Sequence, residues 1–116
     1  MNLENLKLLD QFTGGDTYYR NPIGNLRYTE GIKYLADNAD CYWLIDAIGS
    51  YQRKLLDLDF QFWELTVKPD YSCTLICRLD THLAPVVRQE IEFTTFPLPE
   101  IKVWVEQGVL LLPSEH

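Results

Sequence analysis

A chain of 116 residues, 47% hydrophobic and 13% aromatic, has enough apolar material for one buried core and too much for a disordered segment. Its net charge of −7 is spread evenly, nine acids and six bases up to residue 60 and eight and four after it, and its only adjacent basic pair is Arg53-Lys54. That distribution argues against direct nucleic-acid binding, which needs clustered Lys and Arg to displace counterions from phosphates. No run reaches the roughly 18 to 20 apolar residues of a membrane span. Glu4, Asp10 and Asp16, with no basic start, argue against a secretory leader. Cys41, Cys73 and Cys77 leave an odd thiol under any pairing, so a reducing, cytoplasmic setting without disulfides is expected.

In chain order, Leu3, Leu6, Leu8 and Leu9 read as a short amphipathic docking helix, stopped by Thr13-Gly14-Gly15-Asp16. Thr17 to Arg20 and Asn25 to Tyr28 flank the turn sequence Asn21-Pro22-Ile23-Gly24 and predict a hairpin. Thr29 is placed to cap a helix over 30–38, with Ile32, Leu35 and Ala36 on one face. Asp40 is read as the cap of the main helix, 41–56, in which Cys41, Leu44, Ile45, Ile48, Gln52 and Leu55 keep helical spacing. Gly49 inside that helix costs about 1 kcal/mol relative to Ala, which close packing against a neighbour accounts for.

From Phe60 the period changes to two. Trp63, Leu65 and Val67, then Cys73, Leu75, Cys77 and Leu79, then Ile91 and Phe93 alternate with polar residues, and short connections predict a three-stranded antiparallel meander. Residues 98–107 satisfy two patterns. Pro99 and Glu100 at a helix start, the Lys102/Glu106 spacing and Gly108 at its end predict a helix, with a hairpin turning at Gln107-Gly108 as the alternative. Val109 to Leu112 then forms a final buried strand. The expected fold is α+β: one domain over residues 1–116, an antiparallel sheet with a central three-stranded meander, packed on one face by two main helices in two layers. Its apolar face is Trp63, Leu65, Val67, Leu75, Cys77, Ile91 and Phe93; the opposite face, with Thr66, Thr74, Arg78, Arg88 and Glu90, is wet or meets a partner.

Residue types that could carry chemistry are thin. Cys73, Cys77 and His82 suit zinc, but two strand residues four apart are about 13 Å apart, whereas ligands of one zinc lie within about 4 Å of each other, so no metal site is expected. A Cys/His nucleophile drawn from Cys41 or Cys77 with His82 or His116 lacks a local signature and sits on faces expected to be buried. Glu90 and Glu92 fall on one side of a strand at about 7 Å, a spacing that suits acid/base chemistry and equally a solvated face with Arg88. Gly14-Gly15 matches neither a dinucleotide fingerprint nor a P-loop, so no cofactor is expected. Tyr18 and Arg20, which share a face in Tyr18-Tyr19-Arg20, could stack on or clasp a planar or anionic partner; with His82 they are the candidate ligand-binding residues. No catalytic residue is assigned.

Phe12-Thr13-Gly14-Gly15-Asp16 with Tyr18-Tyr19-Arg20, Tyr28-Thr29-Glu30-Gly31-Ile32-Lys33-Tyr34-Leu35-Ala36, Trp43-Leu44-Ile45-Asp46-Ala47-Ile48, Phe96-Pro97-Leu98 and Leu111-Leu112-Pro113-Ser114-Glu115 span nearly the whole chain. As a set they resemble a family of short uncharacterised bacterial proteins, frequent in cyanobacteria and described only as a domain of unknown function. The chain departs from that pattern at Gly15, where Thr is expected, and at His116, where Tyr is expected. The resemblance implies a whole family member and brings no activity, cofactor or site residue with it.

The leading functional expectation is a small cytoplasmic, non-enzymatic interaction module, with a protein partner or self-association as a homodimer through a sheet edge or the aromatic surplus. One alternative is a small enzyme or ligand binder with a pocket near Tyr18, Arg20 and His82. Another is an acidic inhibitor of a nucleic-acid enzyme, which would need Asp and Glu gathered on one face.

Overall fold

The period-two segments form strands because alternation gives each one side for the core and one for water. The computed structural model describes residues 3–55 and 57–116. Its strands are β1 (Tyr18–Asn21), β2 (Leu26–Thr29), β3 (Phe60–Val67), β4 (Cys73–Arg78), β5 (Val87–Ile91), β6 (Glu100–Glu106) and β7 (Val109–Leu111). The helices are α1 (Leu3–Leu6), α2 (Glu30–Ala39) and α3 (Tyr42–Ser50). All seven strands join one sheet in the order β1-β2-β7-β6-β3-β4-β5. The class is therefore α+β, and the expected hairpin (β1–β2) and meander (β3–β4–β5) are both present.

The sheet is mixed, which corrects the antiparallel expectation: β2 runs parallel to β7, with Arg27 opposite Val109 and Tyr28 opposite Leu110. A second correction concerns 98–107, which is strand β6 and not a helix. Ile101, Val103 and Val105 put their branched side chains on the core side, and β6 is paired on both flanks, to β3 and β7. Sequence periodicity cannot report two waiting neighbours. The β6–β7 hairpin turns at Gln107 (φ 50°) and Gly108 (φ 81°), the two consecutive left-handed residues that a tight hairpin with native twist requires.

The helices follow their caps. Thr29 Oγ1 accepts from Ile32 N at 3.3 Å and starts α2 as expected. Asp40 does not cap the main helix. It closes α2 in the left-handed conformation (φ 51°, ψ 48°), its N–H bonding Ala36 O, and Cys41 precedes α3. The expected single helix over 41–56 is also corrected: α3 ends at Ser50 and tightens into a 3-10 turn at Gln52–Leu55. Its expected last residue, Leu56, lies outside the described residues.

Register places Leu26, Leu110, Val105, Val103, Trp63, Leu65, Leu75, Cys77 and Cys73 on one side of the sheet, and these residues share a single buried cluster with Ile32, Leu35 and Ala36 of α2 and Leu44, Ile45 and Ile48 of α3. Phe93, expected on this face, lies beyond the end of β5 and is 65% exposed. The core also holds a polar network. Gln52 and Gln61 exchange two amide hydrogen bonds (2.9 and 3.0 Å), Trp63 Nε1 donates to Gln61 Oε1 at 2.9 Å, and Gln52 Nε2 also donates to Ile48 O at 3.2 Å. A complete network costs little in an apolar core; a broken one leaves desolvated groups without partners. Gln61→Leu strands the indole N–H of Trp63 and is expected to cost about 1–3 kcal/mol, read as a lower urea midpoint at an unchanged slope. Gln52→Leu, which leaves the Trp63–Gln61 bond in place, costs less.

The packing expected at Gly49 is present. Gly49 and Gly24 bring α3 against the β1–β2 turn so closely that a Cβ on Gly49 would collide with the Ile23 carbonyl oxygen and one on Gly24 with the Gly49 carbonyl oxygen. Propensity alone predicts that Gly49→Ala stabilises a helix by up to about 1 kcal/mol. The collision reverses the sign: a loss of about 1–3 kcal/mol by thermal or urea unfolding is expected.

Candidate interaction surface

Tyr18 and Arg20 lie on β1, at one edge of the sheet. His82 lies in the connection between β4 and β5, near the other, with Nδ1 3.3 Å from Asp80 Oδ1 and its side chain 76% exposed. β1 and β4 are five inter-strand steps apart, on the order of 24 Å at about 4.8 Å per step. The sheet thus does not gather the three candidate residues into one pocket. Tyr18 lines an open hollow of about 240 Å³ with Gly14, Arg27, Glu106 and Glu115.

The cysteines are free and buried, Cys73 and Cys77 on the core side of β4 and Cys41 ahead of α3. Burial pushes the Cys41 and Cys77 thiols up to about 12 and raises Cys73 as well, with Asp40 adding to the effect at Cys41 and Glu90 at Cys73. Such thiols stay protonated and are poor nucleophiles and poor ligands. Among the described residues no group of three His, Cys, Asp or Glu side chains is gathered to hold a metal ion. No helix of the described residues is long and apolar enough to cross a membrane.

The sheet has two terminal strands, and the backbone of each pairs with one neighbour only, β1 with β2 and β5 with β4. At β1, Asn21 Nδ2 donates to Asp46 Oδ1 of α3 at 2.8 Å, and Asn21 Oδ1 accepts from Ile23 N at 2.8 Å. At β5, the backbone of residues 87–91 bonds to β4 on one side and to no other described segment. An unpaired strand edge is a row of unsatisfied N–H and C=O groups that water satisfies and another strand can take over.

The side chains of β5 divide by parity. Val87, Gln89 and Ile91 are half-buried on the core side, where Gln89 Oε1 accepts from the Tyr51 hydroxyl at 2.9 Å. Arg88 and Glu90 point to the open side, where Arg88 Nε meets Glu90 Oε1 at 3.0 Å. Glu90 also accepts from Thr74 Oγ1 at 2.9 Å and has Lys68 Nζ at 3.8 Å. The Thr74 hydroxyl above all, and then Arg88 and Lys68, hold its carboxyl below the usual range, although desolvation opposes them. Glu92 lies past the strand end, so the expected Glu90/Glu92 pair is not a feature of one regular strand.

Both ends of this edge are apolar and open. Leu79, Leu83 and Val86 are 40%, 43% and 51% exposed at the end where β5 begins. Tyr71 and Phe93 are 60% and 65% exposed at the end where it stops, with ring centroids 6.2 Å apart. Sequence reasoning assigned Leu79 and Phe93 to buried strand positions; the signal it lacked was where the strands end. The carboxylate of Glu115 accepts from Thr29 Oγ1 (2.6 Å), Leu112 N (3.0 Å) and Gly31 N (3.3 Å), so it ties the C-terminal segment to the start of α2.

Fold and edge together define a small α+β protein on a mixed seven-stranded sheet whose terminal strands, β1 and β5, are each bonded on one side only. The chain belongs to DUF6876, a family of unknown function whose sequence pattern matches residues 3–116, and the resemblance read from the tyrosine, glycine and tryptophan phrases is borne out at that level. No curated protein and no solved structure matches the chain.

The thiol burial has a direct readout. A disulfide reagent at about pH 8 is expected to leave Cys41, Cys73 and Cys77 unmodified in the folded protein and to react with all of them once the chain is unfolded in guanidinium. Rapid reaction of a thiol in the native state would show that its stretch of core opens to solvent.

Proposed function

We propose that the protein is a non-enzymatic interaction module and that its docking element is the open edge of β5. The observation that carries this reading is the combination on one strand of an unbonded backbone edge with exposed apolar side chains at both ends. Strand addition to such an edge supplies main-chain hydrogen bonds for affinity, and the side chains that flank it supply specificity. The supporting arrangement we infer has two layers, with α2 and α3 over one face of the sheet. The other face, which bears Arg78, Arg88 and Glu90 and the aromatic contacts among Phe60, Phe62, Trp104 and His116, stays free.

The displaced titrations agree with a binding role. General acid/base catalysis needs groups tuned toward neutrality. Here the thiols and Tyr42 move up and Asp37, Asp70 and Glu90 move down, so every resolved displacement among the described acidic side chains and thiols leads away from neutral pH.

The test is photo-crosslinking in cells of the natural host. A benzophenone side chain in place of Arg88 is expected to give discrete adducts, whereas one in place of Lys33 on α2 gives none. Equal labelling from both positions, or no adduct from position 88, would overturn the assignment of β5 as the docking element.

A further inference from the structure

We propose that the strand added to β5 is β5 of a second copy of this chain, antiparallel, about a two-fold axis through Gln89; this rests on the reading of β5 as the docking edge. Directly opposed residues of antiparallel strands share a face, with Cβ atoms about 4.5–5.5 Å apart. A centre at Gln89 therefore sets Arg88 of each copy opposite Glu90 of the other, and Val87 opposite Ile91. Moving the centre one residue either way would oppose Arg88 to Arg88 or Glu90 to Glu90. A centre between residues would continue the core side of one sheet as the open side of the other, and a one-residue slip of that kind places half-buried Gln89 and Ile91 beside charged positions. Only the centre at Gln89 satisfies charge and face together.

The flanks meet in the same register. Phe93 of one copy is set opposite Pro85, beside Val86 and Leu83 of the other, so the two exposed apolar ends of the edge cover each other twice. Five paired residues bury little apolar surface by themselves; Leu83, Val86, Phe93 and Tyr71 supply what the ladder lacks. The charge pattern is isologous, as a two-fold interface requires: one strand carries both partners of the pair.

Sedimentation equilibrium of the full chain over roughly 1–100 µM is expected to show a dimer. Arg88→Glu and Glu90→Arg each place like charges opposite one another twice, and each is expected to weaken the dimer about tenfold or more. An equimolar mixture of the two variants restores opposite charges at both positions and is expected to recover the dimer, as is the double variant R88E/E90R by itself. Both side chains lie on the open side of the sheet and are exposed, so the circular dichroism of each variant is expected to match the parent. A parent chain that stays monomeric throughout, single variants that dimerise like the parent, or a mixture that fails to recover would overturn the proposal. If the parent is monomeric while a benzophenone at position 88 still captures a partner of another mass, the edge reading stands and the second-copy reading falls.

Discussion

The parallel contact between β2 and β7 is the seam on which the architecture depends. Every other strand pair is antiparallel, and all of them but β3–β6 join strands consecutive in the chain, whereas this pair joins the N-terminal hairpin to the last strand of the chain. Without it the molecule would hold a two-stranded ribbon and a five-stranded sheet, and a lone hairpin is marginal in water. The seam is short, two registered pairs with Arg27 N bonding Gly108 O at 3.1 Å beside them, and Glu115 reinforces it by holding both Thr29 at the end of β2 and Gly31 in α2. Gly31 is a requirement of that clasp, since a Cβ there would sit 2.6 Å from the Glu115 carboxylate and 2.8 Å from Leu112. The seam also decides which strands are terminal, and so which edges a partner can reach.

Much of this was legible in the sequence, for identifiable reasons. Trp63, Leu65 and Val67 and then Cys73, Leu75 and Cys77 alternate so regularly that strand, face and burial follow from period alone. Thr29 announces α2 because a side-chain acceptor at a helix start acts within its own turn. Burial of Cys73 and Cys77 followed from the same alternation, and that of Cys41 from helical spacing.

What was not legible is long-range. Residues 98–107 fit a helix and a strand about equally, and pairing on both sides by β3 and β7, whose positions the local sequence does not encode, decides between them. Asp40 has the composition of an N-cap yet takes the left-handed conformation that closes α2, because α2 and α3 follow each other without a linker. Tyr18, Arg20 and His82 were grouped by chemical type, and only strand order shows that a whole sheet lies between them.

The charges on β5 bear on how a protein manages an open edge. Charged side chains on a terminal strand usually guard against indiscriminate pairing, because an arbitrary strand meets them with a mismatch or with nothing. Arg88 and Glu90 do so here, but one of each sign two residues apart is also the smallest pattern that matches its own antiparallel image. Two like charges would guard equally well and forbid self-pairing; two neutral residues would permit it in any register. An alternating pair around Gln89 disfavours foreign strands, disfavours slipped copies and leaves one register free of conflict. The same two side chains can therefore protect the edge and specify its partner, with selectivity coming from the penalties on wrong pairings more than from the strength of the right one.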